Sequence, residues 1–251
     1  MLKYIILYDE SKVMPDETLV YRIEAVRDFG TVRKGDKGGF VRDGENLSHH
    51  GNCWIADEAV AADFSLVQGN AVLSGKAKLF RFAWIAGNAH VTDLVRMTDY
   101  TSAYGNAFLG GFARLCEGAS VFENGYVKTA RRPGWTMRGL TTVRGNARLI
   151  DKAFMQDRSV LAGNAILRKH ARLRENARVD DHADVGEDSR ISGDAWVTGW
   201  VSICGRSQVT GDAIVHGRVI ICGKSYITCK VRICGNKHYQ NMILGGDQIL
   251  F

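Results

Sequence analysis

Proline is nearly missing from this chain of 251 residues, which has only Pro15 and Pro133. Long apolar runs are missing too, and heptad patterning is almost absent. The N-terminal "MLKYIILYDESK" carries Lys3 within its short apolar stretch, Asp9 and Glu10 just after it, and no small-residue cleavage site. These absences exclude a membrane-spanning helix, an extended coiled coil and a secretory leader. The six cysteines, Cys53, Cys116, Cys204, Cys222, Cys229 and Cys234, therefore read as thiols of a reducing compartment rather than a disulfide framework. A cytoplasmic protein without a membrane partner is expected. A phosphate loop, a dinucleotide fingerprint and a serine nucleophile elbow are absent as well.

What is present is glycine, 28 residues of it, in a chain rich in Val, Ile and Leu. Hydrophobic residues make up 45% and charged residues 24%, enough to fill the core of one large domain. Many short strands joined by tight turns fit this balance. The formal net charge of +6 favours anionic partners: nucleic acid, nucleotides, coenzyme A phosphates or acidic proteins.

One phrase keeps returning: "VQGNAVL", "IAGNAHV", "AYGNAFL", "VRGNARL", "LAGNAIL", "ISGDAWV" and "VTGDAIV". Counting from Ala89 in steps of six lands on Cys53, Ala59, Ser65, Ala71, Ala77 and Ala83, then on Val95, Thr101, Ala107 and Ala113. Every one is small or β-branched. Two positions later come Ile55, Ala61, Val67, Leu73, Leu79, Ile85, Val91, Met97, Ala103, Leu109 and Leu115, nearly all larger aliphatics. Residues two apart on a strand face the same way. Each hexad is thus a short strand with one small and one bulky inward side chain, followed by a turn. The predicted fold is all-β, a parallel β-helix of about ten triangular coils stacked at the ~4.8 Å strand spacing.

Three hexads per coil require residues eighteen apart to stack. Asn52, Asn70, Asn88, Asn106 and Asn124 fall in one column, each of the first four preceded by glycine, and Phe64, Phe82 and Tyr100 fall in another. Glycine or asparagine is expected where a tight corner needs positive φ, and stacked Asn side chains can bond from coil to coil.

The repeat resembles the hexapeptide-repeat superfamily of left-handed β-helix proteins, many of them trimeric acyltransferases. "YRIEAVRDFGTVRKGDKGGFVRDGENLS" leading into "GNCWIADEAVA" is similar, more narrowly, to a phage- and prophage-associated YdcK-like group of transferases. The resemblance covers almost the whole chain. It implies left-handed winding, a homotrimer, and coenzyme A or acetyl-coenzyme A as the cofactor if the chain is an enzyme. The family's C-terminal coenzyme A motif is incomplete: "CGNKHYQN" keeps Gly235 and Asn236 and lacks the proline.

Three segments are expected. Residues 1–50 escape the hexad and form a small N-terminal β cap, because an open solenoid end exposes strand edge and core. Residues 51–237 form the β-helix, interrupted by a loop insertion at about 128–142, and residues 238–251 are a second cap or a subunit-contact tail. The insertion carries Arg131, Arg132, Trp135 and Arg138. These read either as a solvated loop or as an anion clamp, guanidinium forks on phosphates beside a stacking ring.

Outward positions supply the remaining candidates. Lys78, Arg96 and Arg114 stack eighteen apart, a repulsive column that a bound anion would relieve, although exposed basic residues also guard β surfaces against aggregation. Trp54, Val72, His90, Phe108 and Tyr126 form an apolar and aromatic stripe suited to a subunit interface or to coverage by the N-terminal residues. Among seven histidines, His90 alone lies on that stripe, making it the candidate general base of an acyl transfer or a packed member of the stripe. No metal site is expected, since the C-terminal thiols fall on separate columns. The leading expectation is a non-catalytic binding scaffold, phage- or prophage-encoded. Its ligand would be a nucleotide-like anion or an acidic host protein of a defence system, with nucleic acid left open. A coenzyme A-dependent acyltransferase and a purely structural protein are the alternatives.

Overall fold

The computed structural model describes residues 2–128 and 141–251, which fall into two compact units, Met1–Glu117 and Gly118–Phe251. Beyond an N-terminal antiparallel sheet, both consist mostly of two- and three-residue parallel strands whose partners lie one coil away.

The first unit opens with an antiparallel sheet of β1 (Tyr4–Val13), β2 (Leu19–Ala25) and β3 (Lys37–Val41). Pro15 sets the turn between β1 and β2, where the Glu17 amide donates to the Met14 carbonyl at 2.9 Å. β3 then pairs in parallel with Val60–Ala61, so the cap extends one face of the solenoid rather than merely plugging it. From Trp54 onward each strand pairs in register eighteen residues on, Trp54 with Val72, Val60 with Lys78 and Leu66 with Trp84. The inward residues are those the hexad named: Ala71, Leu73, Ala77, Leu79, Ala83, Ile85, Ala89 and Val91 are all fully buried. Alternating small and branched side chains fill the interior of these coils.

The second unit repeats this arithmetic. Its first pairings are Ser120 with Arg148 and Tyr126 with Phe154, ten residues wider than the usual eighteen, which absorbs the break seen in the sequence. Thr142 with Val160 restores the normal step. Asn236–Gln240, Ile243–Leu244 and Ile249–Leu250 each pair in parallel with the coil before, so the stacking continues through these residues.

The corners depart from the sequence reading in one respect. Glycine takes positive φ as expected (Gly69 at 71°, Gly87 at 67°), but the ladder asparagines do not; the other left-handed corners belong mostly to Asp and Glu. Asp57, Asp93 and Asp181 have φ of 54°, 63° and 56°. Each carboxylate accepts the amide of the residue eighteen on, Gly75 at 2.8 Å, Gly111 at 2.7 Å and Gly199 at 3.2 Å. A charge-assisted bond to the next coil offsets the left-handed strain of roughly 1 kcal/mol or more. The asparagines do stack, Asn70 Nδ2 donating to Asn88 Oδ1 at 3.1 Å and Asn88 Nδ2 to Asn106 Oδ1 at 3.0 Å. The Phe64, Phe82 and Tyr100 rings stack at 5.2 and 4.8 Å. Among the described residues no helix is long and apolar enough to cross a membrane.

Candidate functional site

The basic column stands as the period requires: Lys78 pairs with Arg96 and Arg96 with Arg114. Its head, Val60, is fully buried beneath Met14, Val20 and Phe40 of the N-terminal sheet. The cap therefore ends where the charges begin, and it adds cations of its own. Lys12 and Arg22 lie over the Phe40 ring at 5.1 and 4.3 Å, and Glu58 holds both, at 3.3 and 2.8 Å. Burial pushes the Lys78 ammonium below its ordinary pKa, and the charges of Lys12 and Arg96 push it further, with Asp16 opposing. The Arg96 guanidinium sits 5.3 Å over the Phe80 ring. Among the described residues neither Lys78, Arg96 nor Arg114 forms an ion pair. A phosphate there would meet stacked cations and a supporting ring. The hollow nearby is lined by Asp16, Glu17, Thr18, Leu19, Tyr21 and Arg42, two carboxylates against one guanidinium.

His90 lies between Val72 and Phe108 in register and is exposed. Its Nε2 is 3.3 Å from Ser74 Oγ, which itself donates to Thr92 Oγ1 at 2.9 Å, and its ring meets Phe108 edge-on at 5.8 Å. The hydroxyl pair and the phenyl orient the imidazole, which stays open to solvent. Among the described residues no carboxylate bonds to His90. His49, by contrast, stacks on Tyr4 at 4.4 Å, its pKa lowered by burial and then by Lys3.

Trp54 must be removed from any free stripe. It is 6% exposed, with Phe29 packed edge-on at 5.4 Å, and Gly38 lies so near that a Cβ there would come within 2.5 Å of the indole. The chain's own cap covers this end, for the same reason that Val60 is buried. Val72 and Phe108 are half-buried beside His90, while Tyr126, in the second unit, stacks on Phe154 at 5.1 Å. Arg131, Arg132, Trp135 and Arg138 lie outside the described residues. Among the described residues no group of three or more His, Cys, Asp or Glu is placed to hold a metal.

One contact had no signal in the sequence. Lys3 is fully buried, its Nζ donating to the Cys53 carbonyl at 2.8 Å and lying 3.2 Å from Cys53 Sγ and 4.9 Å over the Phe29 ring. Burial lowers its pKa while Cys53 draws it back up. Fifty residues separate the pair, and only the folding of the cap across the first coil unites them.

No family model matches the chain, and no curated protein matches it. Solved structures do. The UDP-N-acetylglucosamine acyltransferase of Francisella novicida superposes with a TM-score of 0.56 at 15% identity, over 68% of this chain and 66% of that one. The match therefore spans just under two thirds of that relative. The UDP-N-acetylglucosamine O-acyltransferase of Moraxella catarrhalis matches at 12% identity with a TM-score of 0.38, over 79% of this chain and 70% of that one. At such identities the likeness is one of fold, the left-handed hexapeptide β-helix.

Proposed function

We propose that this chain is an acyltransferase that takes its acyl group from a phosphate-bearing thioester carrier of the coenzyme A class. The observation carrying the reading is that its fold matches a solved acyltransferase over 68% of the chain, with an exposed, hydroxyl-anchored imidazole on one face. His90 is the general base. It removes the proton from an acceptor hydroxyl or amine as that group attacks the thioester carbonyl, and the carrier thiolate leaves. Lys78, Arg96 and Arg114 hold the carrier's phosphates. Two unit charges ~5 Å apart repel by about 1 kcal/mol even in water, so an anion over the column gains both attraction and relief of that repulsion. The chain works as a homotrimer, with His90, Val72 and Phe108 facing a neighbouring subunit.

A thermal-shift comparison of acetyl-coenzyme A with a nucleotide panel tests this directly. Ligand at a hundred times its Kd adds ~2.7 kcal/mol to the folded state. Acetyl-coenzyme A should stabilise wild type and His90→Ala alike, while thiol release with hydroxyl and amino acceptors should survive only in wild type. Absence of a shift with acetyl-coenzyme A refutes the reading.

The second reading is an anion-binding scaffold without catalysis, phage-encoded and directed at a nucleotide-like molecule or an acidic host protein. Two observations favour it: among the described residues no carboxylate pairs with the basic column, and none bonds to His90 to orient it as a general base. Nucleotide stabilisation without acyl transfer would select it.

A further inference from the structure

Sulfur and imidazole meet on the last coils of the second unit. Cys204 follows the strand Ser202–Ile203 and donates its amide to the Ile221 carbonyl at 2.9 Å; Cys222 ends the next strand of that face, Arg218–Cys222. The coil beyond carries Asn236–Gln240, in which Gln240 pairs with Cys222 and Ile220 with His238. From that diagonal position His238 brings Nε2 to 3.2 Å from Cys222 Sγ. Both thiols are half-buried and the imidazole is exposed.

The two thiols are not equivalent. Cys222 has an imidazole within proton-transfer distance. Cys204 has none: burial pushes its thiol up, the neighbouring Cys222 and Glu187 push further, and Arg168 opposes them while bound through two bonds to Asp184, at 2.7 and 2.9 Å. One sulfur has a proton acceptor against it, and the other stands at its side without one. In-register parallel neighbours lie ~4.8 Å apart, within the Cα separation a disulfide spans. Their Cβ atoms stay wider apart than a relaxed bridge prefers, so the bond would be strained and readily reduced.

We propose that Cys222, His238 and Cys204 form a reversible thiol-modification site for low-molecular-weight disulfides such as oxidised glutathione. Cys222 passes its proton to His238 Nε2, and the thiolate attacks one sulfur of the glutathione disulfide. The S–S bond breaks, and the first glutathione leaves, taking the proton back from the imidazolium. Cys204 then loses its proton and attacks the Cys222 sulfur of the mixed disulfide, releasing the second glutathione thiol. Two protein thiols are oxidised to one disulfide and one glutathione disulfide is reduced to two thiols, so atoms and electrons balance. The product staples two adjacent coils, with the strand Asn236–Gln240 on the next coil.

The test uses the full chain with oxidised glutathione near neutral pH, an acid quench, and non-reducing tryptic mass spectrometry. Arg206 and Arg218 put the two cysteines on separate peptides. Exposed Cys229 serves as an internal control. Wild type should yield a Cys204–Cys222 bridged pair after transient glutathionylation of Cys222, and Cys204→Ser should trap the mixed disulfide on Cys222. His238→Ala, an exposed position, removes the proton acceptor beside Cys222 and should slow its glutathionylation about threefold while leaving Cys229 unchanged. A glutathione adduct that persists on Cys222 of wild type overturns the proposal, as does bridging that is equally fast in His238→Ala.

Discussion

Two glycines with the same backbone demand and different surroundings separate corner strain from coil stacking. Gly35 and Gly87 both have positive φ, 90° and 67°. A Cβ added at Gly35 meets nothing within 4 Å, whereas one at Gly87 comes within 2.8 Å of the Gly105 amide nitrogen and 3.0 Å of its carbonyl oxygen. Gly35→Ala should cost only the left-handed penalty of about 1–2 kcal/mol. Gly87→Ala bears that penalty and must also push apart two coils joined by the Asn88 amide, which donates to the Gly105 carbonyl at 2.7 Å. Overpacking against a backbone that cannot move aside adds about 1–3 kcal/mol, for a total of roughly 2–5 kcal/mol. Repeat architectures can unfold in parts, so urea midpoints should be read together with hydrogen exchange at individual amides. Faster exchange should centre on Asn88 and its neighbours in Gly87→Ala and stay within the cap in Gly35→Ala. Equal losses in the two variants would refute the claim that corners are constrained by the coil beyond them.

Further outcomes follow from the charged groups. Arg22 and Lys12 hold the Glu58 carboxyl below its ordinary pKa of 4.5, so the stability it contributes is present above that value and is lost as pH falls through the lower folded value. Wild type and Glu58→Gln should therefore differ at pH 7 and converge in urea titrations taken well below pH 4.5. Lys78 is shifted the other way: its charge costs stability at neutral pH, and the cost fades as pH rises through the lowered folded pKa towards 10.5. Lys78→Met should stabilise the ligand-free protein at pH 7, with the gain shrinking in alkali, yet weaken binding of phosphate-bearing ligands in thermal shift. Arg96→Ala and Arg114→Ala should reduce coenzyme A binding about tenfold each, and raised salt should weaken wild-type binding most; a salt-independent wild type would count against the column. Asn88→Asp keeps an acceptor for Asn70 but sets a carboxylate against Asn106 Oδ1, and a loss of about 1 kcal/mol is expected from chemical denaturation.

Periodic features of this protein were legible in its sequence because a solenoid turns stacking into arithmetic. Residues eighteen apart must meet, so the Asn70 to Asn88 bond, the Phe64, Phe82 and Tyr100 stack and the Lys78 to Arg96 pairing follow from counting. Only the tertiary structure decided which outward positions are covered. Val60 and Trp54 obey the same period as Lys78 and Val72 but lie under the cap, and the contacts of an antiparallel sheet folded across a coil have no period to read. It also decided the corner chemistry, where Asp57, Asp93 and other acidic residues accept left-handed backbone because the next coil offers an amide to the carboxylate. The diagonals remained hidden for a related reason: His238 reaches Cys222 and His90 reaches Ser74 across columns that differ by two positions. Whether neighbouring columns touch depends on side-chain direction, which repetition alone leaves undetermined.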